Sequence, residues 1–150
     1  MRRAAVPAIL AVALAGCGGG GSPSTEEFET SVVETRDRVD RALAHIQEAT
    51  SEEDFLDRLD EAAAVIDDAA TDFEDEGAPT RFEDESDRLV VNLHDLAAAL
   101  HGTAGEAREL GFDKLLTGAR GLNFESWDRV NADLREFRRQ GIQVRPLERH

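Results

Sequence analysis

Carboxylates with the spacing of a calcium-binding loop lie near the middle of the chain, in the stretch DFEDEGAPTRFE. Asp72, Glu74 and Glu76 fall at positions 1, 3 and 5 of a twelve-residue Ca²⁺ loop, with Gly77 at position 6 and Glu83 at position 12. Calcium prefers several oxygen ligands, which alternating carboxylates supply. The spacing therefore predicts a cation site at Asp72, Glu74, Glu76 and Glu83, between two helices.

Two departures from the EF-hand pattern leave an alternative open. Glutamate replaces the shorter Asp or Asn at positions 3 and 5, and Pro79 stands where such loops carry an aliphatic residue. Glu83 also lies three residues after Thr80, where it fits a helix capping box. In so acidic a chain, the alternative is a solvated acidic turn that gathers cations without binding them specifically.

The histidines offer a second possible ligand set. His94 and His101 are one heptad apart on a predicted helix and therefore share a face. Leu93 and Leu100 occupy the apolar seam, which turns both histidines outward. A di-iron bundle site needs inward Glu-x-x-His pairs, and neither histidine has Glu three residues before it. We interpret the pair as a surface stripe rather than a transition-metal site.

Catalytic motifs of the common hydrolases and nucleotide-binding enzymes are missing from the sequence. It contains no G-x-S-x-G, no H-E-x-x-H and no P-loop. We therefore expect no enzymatic activity and name no catalytic residue. An enzyme without a known signature stays a third hypothesis, because convergent sites are defined by geometry rather than by sequence order.

Cys17, the single cysteine, follows a basic and then an apolar segment. Two arginines are followed by apolar or small residues from 4 to 15, which is the layout of a signal peptide. The apolar run is shorter than the roughly 20 residues that span a membrane. The stretch LAGC, residues 14–17, resembles the lipobox of bacterial lipoproteins.

This resemblance implies that signal peptidase II cleaves between Gly16 and Cys17 and that diacylglycerol is attached to the Cys17 thiol. Residues 1–16 are then a cleaved signal peptide, and residues 17–24 are the lipidated cysteine and a flexible, glycine-rich tether. The implied location is extracytoplasmic, on the outer face of the cell membrane, with membrane lipid as a partner. The alternative is a chance cysteine in an ordinary secretory signal.

Charge further restricts the partners. The chain has 150 residues and a formal net charge of −15. We expect no nucleic-acid partner, because affinity for nucleic acids comes mainly from cationic contacts to phosphate. A C-terminal basic group either neutralises the acidic first half of the same molecule or contacts an external anionic partner; it consists of Arg135, Arg138, Arg139, Arg145 and Arg149.

Apolar residues recur at steps of three and four along four segments, beginning near Phe28, Phe55, Phe82 and Trp127. The pattern predicts an all-α domain at residues 25–150, an antiparallel up-down bundle of about four helices. An extended C-terminal tail with Ile142, Val144 and Leu147 is expected to lie along it. The first two segments are either separate helices or one kinked helix. Capping boxes are predicted at Ser24 with Glu27, Thr50 with Glu53 and Thr80 with Glu83, and further helix boundaries at Gly111, Asn123 and Gly141.

Two stretches, PTRFEDESDRLVVNLHDLAAAL and WDRVNADLREFRRQGIQVRPLERH, resemble uncharacterised small lipoproteins of high-GC Gram-positive bacteria. No functional residues come with that similarity. We predict a non-catalytic, membrane-anchored helical module that binds another envelope component, expected to be a protein. The alternative function is an extracytoplasmic module that binds Ca²⁺ or another cation through residues 72–83. The oligomeric state is left open.

Overall fold

The predicted all-α bundle is confirmed by a computed structural model, which describes residues 22–111 and 125–148. Its α-helices are α1 (Thr25–Ile46), α2 (Glu52–Glu76), α3 (Glu83–Leu110) and α4 (Glu125–Arg139), and a 3₁₀ turn (Thr80–Phe82) precedes α3. These two ranges contain no β-strand. No helix within them is both long and apolar enough to cross a lipid bilayer.

Neighbouring helices run antiparallel, as contacts across each helix pair show. Arg38 in α1 binds Asp72 late in α2, whereas Arg58 early in α2 donates to the backbone carbonyl of His45 at the end of α1. The pairs α2–α3 and α3–α4 are antiparallel too, because their contacts join residues in opposite order along the two helices. These contacts are His94 to Asp67, His101 to Asp60, Arg88 to Asp133 and Arg129 to Asp95. The predicted up-down order is therefore present.

Four phenylalanines form the aromatic core at the end of the bundle where α1 begins. The Phe28 ring lies 5.1 Å from Phe82, 5.8 Å from Phe73 and 5.6 Å from Phe137, measured between ring centroids. Each ring is at most 1% exposed. Because one ring comes from each of α1, α2, α4 and the 3₁₀ turn, the cluster holds all these elements together. Leu110, the last residue of α3, is 58% exposed at the opposite end of that helix.

Helix starts follow one of the three predicted capping boxes. The box of Ser24 and Glu27 is present, with both reciprocal hydrogen bonds. The Thr50 box is wrong by one residue, because Ser51 caps α2 by accepting from the Asp54 backbone N–H. Asp54 completes this cap by accepting from the backbone N–H and the hydroxyl of Thr50.

The third predicted box, at Thr80, is also wrong. Thr80 opens the 3₁₀ turn, and neither this turn nor α3 has a side-chain cap. The turn carries Phe82 into the aromatic core, where it is fully buried, so apolar burial decides the geometry here. Glu83 is consequently the first residue of α3.

The first two predicted segments are separate helices, since residues 47–51 are non-helical. Gly111 ends α3 with φ +91°, as predicted. The helix α4 ends at Arg139, and Gly141 follows in a turn with φ +100°. The predicted cap Asn123 lies outside the described residues.

The C-terminal tail, residues 142–148, packs between α1 and α4. Ile142, Val144 and Leu147 are at most 4% exposed. On the α4 side, the backbone N–H of Leu147 donates to the buried Asn131 side chain at 2.7 Å. On the α1 side, Nη2 of the buried Arg36 donates to the Pro146 carbonyl at 2.8 Å.

The tail also binds α1 on either side of Arg36. The backbone N–H of Gln143 donates to the Glu29 carboxylate, and that of Glu148 donates to the Asp40 carboxylate. The tail thus runs parallel to α1 and antiparallel to α4. This confirms the prediction of an extended tail along the bundle and makes the tail part of the hydrophobic core.

Candidate functional site

The predicted calcium ligands do not form a loop. The helix α2 continues through Glu76, so Asp72, Glu74 and Glu76 are helical rather than wound around a central point. Glu83 lies beyond Gly77 and the 3₁₀ turn, at the start of another helix. Phe73 is 1% exposed, and its packing in the core favours a helix at this point. The helix α2 therefore continues through the beginning of the stretch that an EF-hand would use as its loop.

The four predicted ligands do not converge on a common point in this structure. Within residues 22–111 and 125–148, no group of three or more His, Cys, Asp or Glu side chains is placed to hold a metal ion. Asp72 instead binds the guanidinium of Arg38 on α1. The four carboxylates Asp72, Glu74, Glu76 and Glu83 are therefore not a common ligand set.

Two of these carboxylates, Asp72 and Glu76, line a different feature, a cavity of about 340 Å³ between α1 and α2. We call it the acidic groove; its polar wall consists of Ser31, Glu34, Thr35, Arg38, Asp72, Asp75 and Glu76. The volume lies in the range of small-molecule sites. The groove lies near the end of the bundle at which α1 begins, beside the aromatic core.

The acidic groove has an excess of negative charge that its own residues do not neutralise. Arg38 pairs with Asp72, whereas Glu34, Asp75 and Glu76 form no ion pair with any described residue. Asp75 and Glu76 also lie in the last turn of α2, which contains no basic residue. Negative charge at the C-terminal end of a helix opposes the helix dipole, so this arrangement disfavours α2 itself.

Ser31, one of the residues that line the acidic groove, has a buried hydroxyl without a partner in residues 22–111 and 125–148. Ser31 is 8% exposed, and its Oγ makes no hydrogen bond with any of these residues. A buried polar atom left without a partner destabilises a fold by roughly 1–3 kcal/mol. The sequence did not reveal this residue, since Ser31 looks like an ordinary polar position flanked by the apolar stripe of α1.

A second cavity, of about 380 Å³, follows along the same pair of helices. It shares Arg38 with the acidic groove, and its wall combines Arg41, His45 and Glu61 with apolar residues that include Val65. Val65 is an exposed large apolar residue on this surface, at 39%. The outer face of α1 and α2 is thus acidic at one end and of mixed charge at the other.

His94 and His101 lie at the surface, as predicted, but each is paired with a carboxylate of α2. Their Nδ1 atoms lie 2.7 Å from Oδ1 of Asp67 and of Asp60, respectively. Asp60 also binds Arg108. Burial raises the pKa of Asp60, but hydrogen bonds from Arg108 and His101 outweigh this effect and hold the pKa below its ordinary value.

A partly buried polar network joins α3 to α4. The Nδ2 group of Asn92 donates to Oδ2 of Asp133 at 2.6 Å, and Arg88 lies 3.7 Å from the other carboxylate oxygen. Burial raises the pKa of Asp133 above its ordinary value, against the opposing effects of Asn92 and Arg88. This network fixes the register of α3 against α4.

The described members of the predicted C-terminal basic group form no ion pair with the acidic first half of the molecule. Arg139 pairs with Glu136 on its own helix. Arg135, Arg138 and Arg145 are exposed and form no ion pair with described residues. Arg149 lies outside the described residues. The positive charges that do bind α2 come from α1 and α3, namely Arg38 and Arg108.

The predicted processing site, Gly16 and Cys17, also lies outside the described residues, so the structure does not bear on it. Comparison with known proteins gives no further guide to the site, because no protein-family model, no curated protein and no solved structure matches the chain. Two features are left from which a function can be proposed: the LAGC stretch, which resembles a lipobox, and the acidic groove between α1 and α2.

Proposed function

We propose that this chain is a membrane-anchored lipoprotein, exposed on the outer face of the cell membrane, that acts as a non-catalytic interaction module in the cell envelope. The anchor is proposed from the LAGC stretch at residues 14–17, with Cys17 carrying the diacylglycerol. Two acyl chains hold a protein at a membrane firmly, whereas one chain alone gives marginal binding.

The acidic groove is the observation that supports an interaction role. Three of its carboxylates have no ion pair among the described residues, and the Ser31 hydroxyl beside them is buried without a partner. Natural sequences tolerate such local conflicts at functional sites more than elsewhere. The groove is therefore the surface through which we propose that the module binds another envelope component, a protein.

The tether constrains where the partner lies. Residues 18–23 extend to about 20 Å at most, since an extended chain spans roughly 3.3–3.6 Å per residue. The acidic groove lies at the end of the bundle from which α1 begins. An anchored domain would therefore hold the groove close to the lipid headgroups, within reach of membrane proteins.

Site-specific crosslinking in intact cells tests this role. A photo-crosslinking residue at Glu34, in the groove, is compared with one at Asp68, an exposed position elsewhere on α2. We expect position 34 to capture one defined envelope protein that position 68 does not capture. Crosslinks from position 34 to lipid and to other copies of the chain alone would contradict the interaction role.

A further inference from the structure

Three exposed arginines, Arg135, Arg138 and Arg145, lie on one surface formed by α4 and the C-terminal tail, which we call the basic face. Arg135 and Arg138 follow Asn131 at helical spacings of four and seven residues, so they share its side of α4. Asn131 contacts the tail, because its side chain accepts from the backbone N–H of Leu147. Both arginines are therefore on the side of α4 that borders the tail.

Arg145 joins this surface because the tail runs antiparallel along α4. The tail contacts α4 at two levels through its backbone N–H groups: that of Ile142 donates to the carbonyl of Phe137. That of Leu147 donates to the side chain of Asn131. Arg145 lies between these two contacts and is exposed, whereas Ile142 and Leu147 are buried. The tail thus places a third guanidinium beside those of α4.

The basic face carries positive charge that the described residues do not neutralise. None of its three arginines forms an ion pair within residues 22–111 and 125–148. Residues 134–147 contain four arginines and one carboxylate, Glu136, which pairs with the fourth arginine, Arg139. The surface is therefore a local reversal of the net charge of −15 that the whole chain carries.

The carboxylates of the other helices do little to cancel this charge. On the side of α1 that borders the tail, Glu29 accepts from a backbone N–H of the tail, and Asp37 and Asp40 bind the buried Arg36. The acidic helix α2 packs against α1 and α3, and α4 packs against α3, so α2 lies diagonally across the bundle from α4. At helix spacings of about 8–10 Å this diagonal is about 11–14 Å, which exceeds the Debye length of about 8 Å at physiological salt.

The basic face lies at the end of the bundle where the tether joins α1. Phe137, within residues 134–147, packs against Phe28 in the first turn of α1, with 5.6 Å between the ring centroids. The tether precedes α1 at this end and extends to about 20 Å at most. A domain anchored at residue 17 would therefore have this surface within reach of the lipid headgroups. Guanidinium groups suit such a partner, because they bind phosphate through two parallel N–H donors.

We infer that the basic face binds the phosphate groups of anionic phospholipids and so holds the domain against the membrane by its α4 and tail side. This inference rests on the proposed function, which puts the chain at a membrane, and adds the orientation of the domain there. Each arginine near an anionic surface strengthens binding about fivefold, so three together give about a hundredfold. Anchoring makes this contact intramolecular, which is why three arginines suffice in a net-negative chain. The acidic groove, which opens between α1 and α2, stays outside the contact.

Energy transfer on vesicles tests the orientation. The chain from residue 17 to residue 150, which contains every described residue, is coupled through its single cysteine, Cys17, to a maleimide lipid. The vesicles consist of phosphatidylcholine or of an equimolar mixture of phosphatidylcholine and phosphatidylglycerol. Transfer from Trp127, the single tryptophan, to dansyl-labelled headgroups measures how close α4 lies to the surface. Chemical coupling makes this measurement independent of lipid attachment in cells.

We expect more energy transfer in the anionic vesicles than in the neutral ones, at every density of attached chains. The difference should disappear at about 1 M NaCl, where the Debye length falls to about 3 Å. Equal transfer in both kinds of vesicle, or a difference that persists in high salt, would overturn the inference. A difference that appears only on crowded vesicles would assign the basic face to a second copy of the chain and would overturn it too.

Matched variants separate the basic face from the net charge. Arg138→Gln and Arg41→Gln each remove one exposed arginine that forms no ion pair with the described residues, but Arg41 lies on α1 beside the second cavity. We expect Arg138→Gln to lower the equilibrium constant for membrane contact about fivefold and Arg41→Gln to change it less than twofold. Melting temperatures close to that of the unsubstituted chain will show that both variants are folded. Equal effects of the two substitutions would indicate general charge repulsion and would overturn the inference.

The triple variant Arg135→Gln, Arg138→Gln and Arg145→Gln gives the largest effect. It should lower the equilibrium constant for membrane contact about a hundredfold and so remove the difference between anionic and neutral vesicles. A triple variant that keeps the difference would contradict the inference. Failure of these vesicle measurements rejects the basic face, whereas a Cys17 without lipid in cells rejects the anchor of the proposed function.

Discussion

The substitution Ile142→Ala tests whether the C-terminal tail is part of the hydrophobic core. Ile142 is fully buried between α1 and α4. The substitution removes three carbon groups, which corresponds to about 2.4 kcal/mol of transfer free energy at about 0.8 kcal/mol each. The cavity left behind adds to this, so we expect the free energy of unfolding to fall by about 2–4 kcal/mol.

Urea denaturation followed by the fluorescence of Trp127, the single tryptophan, measures the change. Gln143→Ala is the matched control, because Gln143 is the exposed neighbour on the same extended segment. We expect the control to change the free energy of unfolding by less than about 0.5 kcal/mol. If Ile142→Ala costs no more than the control, the tail detaches independently, and its assignment to the hydrophobic core is wrong.

Three other predictions concern the core, the turns and a buried acid. Phe82→Ala should cost about 3–5 kcal/mol in urea denaturation, because Phe82 is fully buried in the aromatic core; a loss below about 1 kcal/mol would contradict this. Gly77→Ala should lower the free energy of unfolding by about 1–3 kcal/mol, because Gly77 has φ +71° and ψ 179°, a conformation that alanine adopts only with strain. Gly102→Ala, within α3, should instead raise the free energy of unfolding by about 0.5–1 kcal/mol. Melting temperatures that shift in the same direction for both variants would refute this pair of predictions. Asp133→Asn keeps an acceptor for Asn92 and removes a carboxyl group whose pKa is raised in the folded state. The stability that this carboxyl contributes is fully present below about pH 3.9 and is lost as pH rises through the folded-state pKa. The free energy of unfolding of the variant, relative to that of the wild type, should therefore increase from about pH 4 to about pH 7. A difference that stays flat or falls over this range would contradict the raised pKa of Asp133.

The helices could be predicted because their signals are local. Periodic apolar residues and the Ser24 capping box act within a few residues of one another, and the fold retains them. The errors arose where a competing residue or a distant contact decided the geometry. Ser51 replaced Thr50 because an adjacent hydroxyl offered the same cap, and Thr80 lost its box because Phe82 is buried against the rings of Phe28 in α1 and Phe137 in α4.

The candidate site could be predicted only in part. The sequence drew attention to the carboxylates at Asp72 and Glu76, but a loop spacing cannot show whether a helix continues through it. The acidic groove depends on the register of α1 against α2, which brings Ser31 and Glu34 opposite the last turn of α2. Such contacts between residues about 40 positions apart have no signal in local periodicity.

Lipid attachment at Cys17 is the claim on which the whole functional proposal depends. Mass spectrometry of the protein purified from membranes of a bacterium that processes lipoproteins tests it directly. We expect a chain that begins at Cys17 and carries diacylglycerol, and a Cys17→Ser variant that has no lipid and leaves the membrane fraction. An unmodified Cys17, or a Cys17→Ser variant that still carries lipid in the membrane, would contradict it.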